Sequence, residues 1–244
     1  MHTSHIRNKL NLYWTKGLIV GILVLFGTGA KAQLWQEIHN PNWDNRKMIT
    51  YGFSIGLHTA SFKLNYSNAF IQPDMDSLHS IQPPKTPGFS LGFIVNSRVN
   101  ELVDVRVTPR VGFYEYKAEY NFTNGTIIKT FVESTSFEFP ILVKYKSERR
   151  KNMRMYMVGG GNPMIEVSGK NDFTENEDGL HIKNFDFRLE AGFGFDIYYP
   201  LFKFSPEIRF SYGLVNVLGG RVNPFNKGID RLNTRAVSIY LHFQ

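Results

Sequence analysis

The sequence predicts an all-β protein, an eight-stranded antiparallel up-and-down transmembrane β-barrel behind a cleaved N-terminal signal peptide. Three observations predict it. Apolar and polar residues alternate with a period of two in eight separate runs, which is the strand signature. Each run covers about 9–13 residues, the length that crosses a bilayer at a tilt near 45°, whereas soluble strands usually run 5–6. Large apolar side chains occupy one parity and small or charged ones the other. An eight-stranded bore has room only for modest side chains, so the aromatic parity belongs outside, in lipid, and the charged parity inside. A soluble eight-stranded barrel or sandwich is the alternative, with the two parities exchanged.

The chain opens with a basic stretch ending at Lys16, an apolar run over Leu18–Phe26 and the small-residue end Ala30-Lys31-Ala32. These are the three parts of a secretory signal peptide, and the apolar run is too short for a membrane-spanning helix. Cleavage after Ala32 is expected. The predicted organisation is a signal peptide over 1–32, a periplasmic N-terminal segment over 33–48 and the barrel over 49–244. The formal charge of +7 includes Arg7, Lys9, Lys16 and Lys31 of the leader, so the mature chain carries +3. That is no nucleic-acid footprint. Cysteine is absent from the 244 residues, which excludes disulfides, thiolate metal sites, cysteine nucleophiles and a lipid-modified N-terminal Cys. Aromatic residues make up 15% and there are 21 Gly, a β-rich composition.

The strands follow in order. Tyr51, Phe53, Ile55 and Leu57 oppose Gly52, Ser54, Gly56 and His58; Phe89, Leu91, Phe93 and Val95 oppose Ser90, Gly92 and Asn96. Val105, Val107, Val111 and Phe113 oppose Asp104, Arg106, Thr108 and Arg110, and the run from Phe137 to Tyr145 opposes Ser136, Glu138 and Lys144. Met153–Met157 is the shortest run. Phe185, Phe187, Leu189, Phe193, Phe195 and Ile197 oppose Asp186, Arg188, Glu190 and Asp196. Phe202, Phe204, Ile208, Phe210 and Tyr212 oppose Lys203, Ser205, Glu207 and Arg209; the last run sets Val237, Ile239, Leu241 and Phe243 against Ser238, Tyr240 and His242. Long connections are predicted at roughly 59–87, 117–130, 162–182 and 214–233, alternating with short ones at Ser97–Glu101, Lys146–Lys151 and Tyr199–Leu201. Short periplasmic turns and long outer loops are the rhythm of outer-membrane barrels.

The inward parity defines the candidate site, a charge network of Arg106, Arg110, Glu138, Lys144, Asp186, Arg188, Glu190, Asp196, Glu207 and Arg209, with Asp104 and Lys203 alongside. Six basic and six acidic groups balance, as they must when buried charges are tolerable only in pairs. A selectivity ring would show one dominant sign, so a plugged bore is expected. Arg188 and Glu190 are expected to pair with each other or with Glu207 and Arg209. No catalytic residues are assigned: His39, His58, His79, His181 and His242 are scattered, with no acid and nucleophile brought to any of them. No metal or cofactor site is assigned either. The acidic stretch Asp172–Asp178 lacks the EF-hand spacing, and Gly159-Gly160-Gly161 is no phosphate loop and reads as a strand-end bend.

Several blocks resemble one family. Gly88–Asn96, Val103-Asp-Val-Arg106 with Pro109, Phe137–Lys146 with Pro140, Gly192–Pro200, Phe204–Leu214 with Pro206, and Val237–Phe243 occur in the order found in the PorT/SprT-like outer-membrane barrels of Bacteroidota. Val105, Val107 and Arg110 stand where that family tends to carry Leu, Phe and Gly. The resemblance implies a non-enzymatic component of the type IX secretion system, linked to gliding motility, whose partners are other secretion-system proteins. It implies no catalytic or cofactor residues. The ending Tyr240, Leu241 and Phe243 resembles the insertion signal read by barrel-assembly machinery, and the outer-membrane bilayer is the remaining expected partner.

Overall fold

A computed structural model describes residues 47–71, 78–167, 182–219 and 228–244. The predicted leader, nearly all of the 33–48 segment and the acidic stretch 172–178 lie outside the described residues.

Among the described residues eleven strands form one antiparallel sheet that closes on itself. They are β1 (Ile49–Tyr66), β2 (Leu78–Gln82), β3 (Thr86–Arg98), β4 (Val103–Val107), β5 (Arg110–Phe122), β6 (Ile127–Glu138), β7 (Ile141–Lys146), β8 (Met153–Glu166), β9 (Phe185–Tyr198), β10 (Lys203–Gly213) and β11 (Ile229–Phe243). The ring contains eight walls because β4 with β5, and β6 with β7, each make one long strand, and because short β2 pairs only with the end of β5. Pro109 and Pro140 lack the N–H that a ladder needs, and they sit at the two breaks. The ladder nonetheless continues across them, with the Thr108 N–H donating to the Pro140 carbonyl at 3.1 Å and the Phe93 N–H to the Pro109 carbonyl at 2.9 Å. β1 pairs with β11 over Phe53↔Phe243 to Tyr66↔Ile229, which closes the barrel. Closure removes the exposed edges that lipid could not satisfy.

The outward parity is apolar through the middle of every wall. Phe53, Leu57, Phe93, Phe137, Val143, Met157, Leu189, Phe193, Phe210 and Ile239 are all exposed. At one end the walls meet in short turns, and the one between β7 and β8 places Lys151 at a φ of 55°. At the other end the sheet runs further than the sequence suggests. The region expected as a loop over 117–130 is a continuous β5–β6 hairpin paired from Arg110↔Glu138 to Asn121↔Ile127. Its turn needs only Thr123–Thr126, with Gly125 at a φ of 84°, the left-handed region glycine enters without strain. Likewise β1 extends to Tyr66 and β11 begins at Ile229, inside the expected connections.

The glycine triplet Gly159–Gly161 is not a strand-end bend. It lies within β8, paired on one side with Ile141–Val143 and on the other with Leu189–Ala191. A Cβ on Gly160 would stand 2.1 Å from the Ile141 carbonyl oxygen, so the close approach of the two strands requires glycine there.

Candidate functional site

Every inward charge named from the sequence is buried in the bore. The walls bring them into one connected series. Near the short-turn end, Lys146 Nζ lies 2.5 Å from Asp104 Oδ1, and Asp104 also accepts from Asn96 Nδ2 at 2.9 Å. Asn96 accepts from Arg106 Nε at 3.4 Å, and Arg106 Nη1 pairs with Glu207 at 2.9 Å. Glu207 pairs in turn with Arg209, and Arg209 Nη1 reaches Glu190 Oε2 at 2.9 Å. Arg110 then bridges Glu190 at 2.7 Å and Glu138 at 2.5 Å. Arg188 stands 4.0 Å from Glu138 and 3.1 Å from Asp186. Sign alternates at each charged step. Lys144 with Asp196, at 2.5 Å, forms a side branch that Ser205 caps with a 2.6 Å hydrogen bond.

Pairing of this kind is what makes the burial tolerable. A lone guanidinium in a low-dielectric bore is heavily penalised, whereas one holding two carboxylates and stacked on a ring has most of its donors used. Tyrosines supply the remaining contacts. The Tyr240 ring lies between Arg110 and Arg209, 4.8 and 4.4 Å from their guanidinium carbons, and Tyr156 lies under Lys144 at 3.8 Å. The hydroxyls of Tyr114 and Tyr156 donate to Glu138 and Glu207, and Asn162 Nδ2 donates to both Glu138 and Glu190 at 2.9 Å. Small residues opposite the rings leave them space: a Cβ at Gly56 would meet the Tyr240 ring at 2.5 Å, and one at Gly194 the Tyr156 hydroxyl at 2.6 Å.

Three expectations need correction. Arg188 does not pair with Glu190 or Glu207: its partners are Asp186, Thr234 at 3.0 Å and the Tyr116 hydroxyl at 2.8 Å. Those groups sit one level further toward the long-connection end, and the Glu190 oxygens are already occupied by Arg110 and Arg209. Lys146 is no part of a solvated turn, because it continues the β7 inward parity of Lys144. Large aromatics also belong inside. Phe62, Tyr114, Tyr116 and Tyr120 join Ala60, Leu78, Ile81, Leu232 and Val217 in a buried apolar cluster above the charges. Short β2, paired with the end of β5 from Leu78↔Phe122, supplies Leu78 and Ile81 to this cap, and Val217 joins them.

The residues missed from sequence were Asn162, Tyr114, Tyr116 and Thr234. Their signal was present as the unbroken parity of Arg110 on β5, Tyr156 on β8 and Ser238 on β11, extended past the point where hydrophobic alternation stops marking it. Tyr240 faces the bore, while Leu241 and Phe243 continue the outward parity, with Phe243 stacked on Phe53 at 4.9 Å. His58 is buried against the Tyr114 ring at 4.1 Å rather than standing at an open rim, and His242 lies 3.5 Å from Glu207. Among the described residues no three His, Asp or Glu side chains converge as a metal site.

No curated protein sequence matches the chain. Similar solved structures include OprG of Pseudomonas aeruginosa, with a TM-score of 0.44 at 12% identity over 79% of this chain and 93% of that one. Neisserial surface protein A gives 0.40 at 11% identity over 80% and 98% of the two chains. Ail, the attachment invasion locus protein of Yersinia pestis, gives 0.34 at 10% over 81% and 99%. The family described as outer membrane protein beta-barrel domain matches residues 32–219, well over half of the chain. This protein, an antiparallel barrel of eight walls in the lipid of the outer membrane, belongs to the outer membrane protein beta-barrel domain family.

Proposed function

We propose that this protein is a closed, non-enzymatic barrel that serves type IX protein secretion, and the gliding motility linked to it, by binding or assembling translocon components. The observation that carries the reading is the filled bore. From Lys146 to Asp186 the interior is occupied by paired charges, and above them by the Phe62–Tyr116–Leu232 cap. A bore of this width has no path for a folded client, which leaves surfaces and rims as the working parts. The secretion assignment rests on the ordered blocks from Gly88 to Phe243 that resemble PorT/SprT-like barrels. Export on the 1–32 leader, with 33–48 left in the periplasm, completes the reading.

Two measurements test it. Purified protein in planar bilayers should give no steady conductance, and deletion of the gene should deplete the secreted proteome of type IX cargo. Stable open channels would sink the closed bore. A normal secretome would leave a structural or adhesive outer-membrane barrel. For assembly, the outward pair Leu241 and Phe243, with Tyr240, is the proposed insertion signal. Phe243→Ala should lower the heat-modifiable, membrane-inserted fraction, and an unchanged fraction would remove that role.

A further inference from the structure

The lipid-facing surface is not uniformly convex. A groove of about 690 Å³ crosses β1, β11, β10, β9 and β8 on the outside of the barrel, toward the long-connection end, a size within the roughly 300–1,000 Å³ that ligand sites occupy. Its two ends differ in chemistry. At one end stand Lys85 and Arg235, with Lys63 beside them. Arg235 Nε donates to Ser61 Oγ at 2.9 Å, and Lys63 Nζ donates to the Tyr212 hydroxyl at 3.4 Å. Among the described residues no carboxylate pairs with any of these three cations. The groove then passes Val237, Phe210 and Leu189 and reaches a stretch of small residues, Ala191 on β9 and Gly160 on β8; Glu190 also lines it, with its carboxylate already paired to Arg110 and Arg209. Beside Gly160, Gly159 pairs with Ala191, and a Cβ there would meet nothing closer than 3.9 Å, so the surface next to the groove is open.

We propose that this groove holds a phosphate-bearing lipid of the outer leaflet, with the phosphate on Lys85 and Arg235 and an acyl chain along the Phe210–Ala191–Gly160 floor. Unpaired cations at the upper edge of an apolar band are the arrangement that recognises anionic headgroups, and Arg gives a phosphate two parallel hydrogen bonds. The groove is continuous with the surface that lies in the membrane, so lipid is the molecule present at it. The inference does not depend on the secretion role, since it concerns the outer wall and not a translocon partner.

The test uses the full-length barrel folded in detergent, with binding and thermal unfolding followed against three probes. These are diphosphorylated lipid A in phosphatidylcholine mixed micelles, its dephosphorylated form, and inorganic phosphate. The phosphorylated lipid should bind about tenfold tighter than the dephosphorylated one and raise the unfolding midpoint. Inorganic phosphate at the same concentration should do neither. Lys85→Ala with Arg235→Ala should abolish the preference for the phosphorylated form, and Ala191→Leu, which fills the floor and leaves the cations alone, should weaken both lipids. Equal affinity of wild-type protein for the two lipids would overturn the proposal, as would full competition by inorganic phosphate or an unchanged preference in the double variant. Should the double variant fail to fold, the wild-type comparison of the two lipids decides.

Discussion

The two halves of the barrel use the same walls with opposite polarity. In the half that lies in lipid, β1 turns Phe53, Ile55 and Leu57 outward and Ser54, Gly56 and His58 inward, and β5 begins with Val111 and Phe113 outward and Arg110 inward. Further along the same strands the parities exchange character. β1 then presents Lys63 outward and Phe62 inward. β5 presents Glu115, Lys117 and Glu119 outward and Tyr116, Ala118 and Tyr120 inward, and β11 presents Arg231 and Arg235 outward and Leu232 inward. The sheet does not change at this boundary. The solvent does. In lipid the apolar side faces out because hydrocarbon gives no reward for burying it, and the polar groups find partners in the bore. Beyond the lipid, water restores the ordinary hydrophobic effect, and the bore fills with aromatic rings as a soluble core would.

That exchange also decides what could be read from the sequence. Eight walls were legible because alternation is strong where one parity meets lipid, as at Phe185–Ile197. The inward charges were legible from the same parity, since Asp186, Arg188 and Glu190 fall on it without a break. Past Phe113, Lys117 and Glu119 continue the outward parity as charges, so hydrophobic alternation reverses sign and resembles a loop. The cap was not legible for the same reason: Tyr116 and Tyr120 belong to it only once the strand is known to continue. The ion-pair partners needed the shear of the barrel, which sets Arg188 level with Thr234 and Tyr116 and not with Glu207. No local pattern carries that register.

The comparison can be broken most sharply in the charged half. Glu190 holds Arg110, Arg209 and Asn162 together. Glu190→Ala leaves two buried guanidiniums short of a counter-charge, and a cost of about 3–5 kcal/mol is expected. Urea unfolding of liposome-inserted protein measures it. A loss below about 1 kcal/mol would mean that water enters the bore and solvates the charges. In the apolar half the matching change is Phe62→Ala, which removes the ring stacked on Tyr116 at 4.5 Å. The cavity should cost about 3 kcal/mol or slightly more, since Tyr116 can lean into part of the space. If the outer half is a true packed core, this loss should be the same in detergent and in liposomes, whereas a lipid-dependent loss would place Phe62 at the membrane.

The outer wall gives the next effect. Phe193 is exposed on β9 and pairs with Ile208 and Met157, deep in the apolar band. Phe193→Arg should destabilise the inserted barrel by about 2–4 kcal/mol near the midplane. The same substitution would be almost neutral if that face were in water, so stability measured in liposomes sharpens the boundary between the halves directly.

The smallest effect is the most specific to the outer half. Lys117 Nζ lies 2.7 Å from Glu119 Oε1 on the water-facing side of β5, and Lys129 stands 3.9 Å from the same oxygen. The hydrogen bond from Lys117, with the charge of both lysines, holds the Glu119 carboxyl below its ordinary value against the opposing effect of desolvation. A carboxyl whose folded pKa is depressed adds stability above its unfolded pKa, near 4.3, and loses that contribution as pH falls through the folded value. Lys117→Ala should therefore leave a small gap in unfolding midpoint from wild type at pH 7, which narrows as pH falls below the unfolded value, near 4.3, and closes once it has passed the folded one. Because the pair is in water, about 1 M salt should close the gap as well. A gap that persists at pH 3 in high salt would show that Lys117 acts through its contact with the Phe131 ring, 5.4 Å away, and that packing rather than charge organises the outer surface of the hairpin.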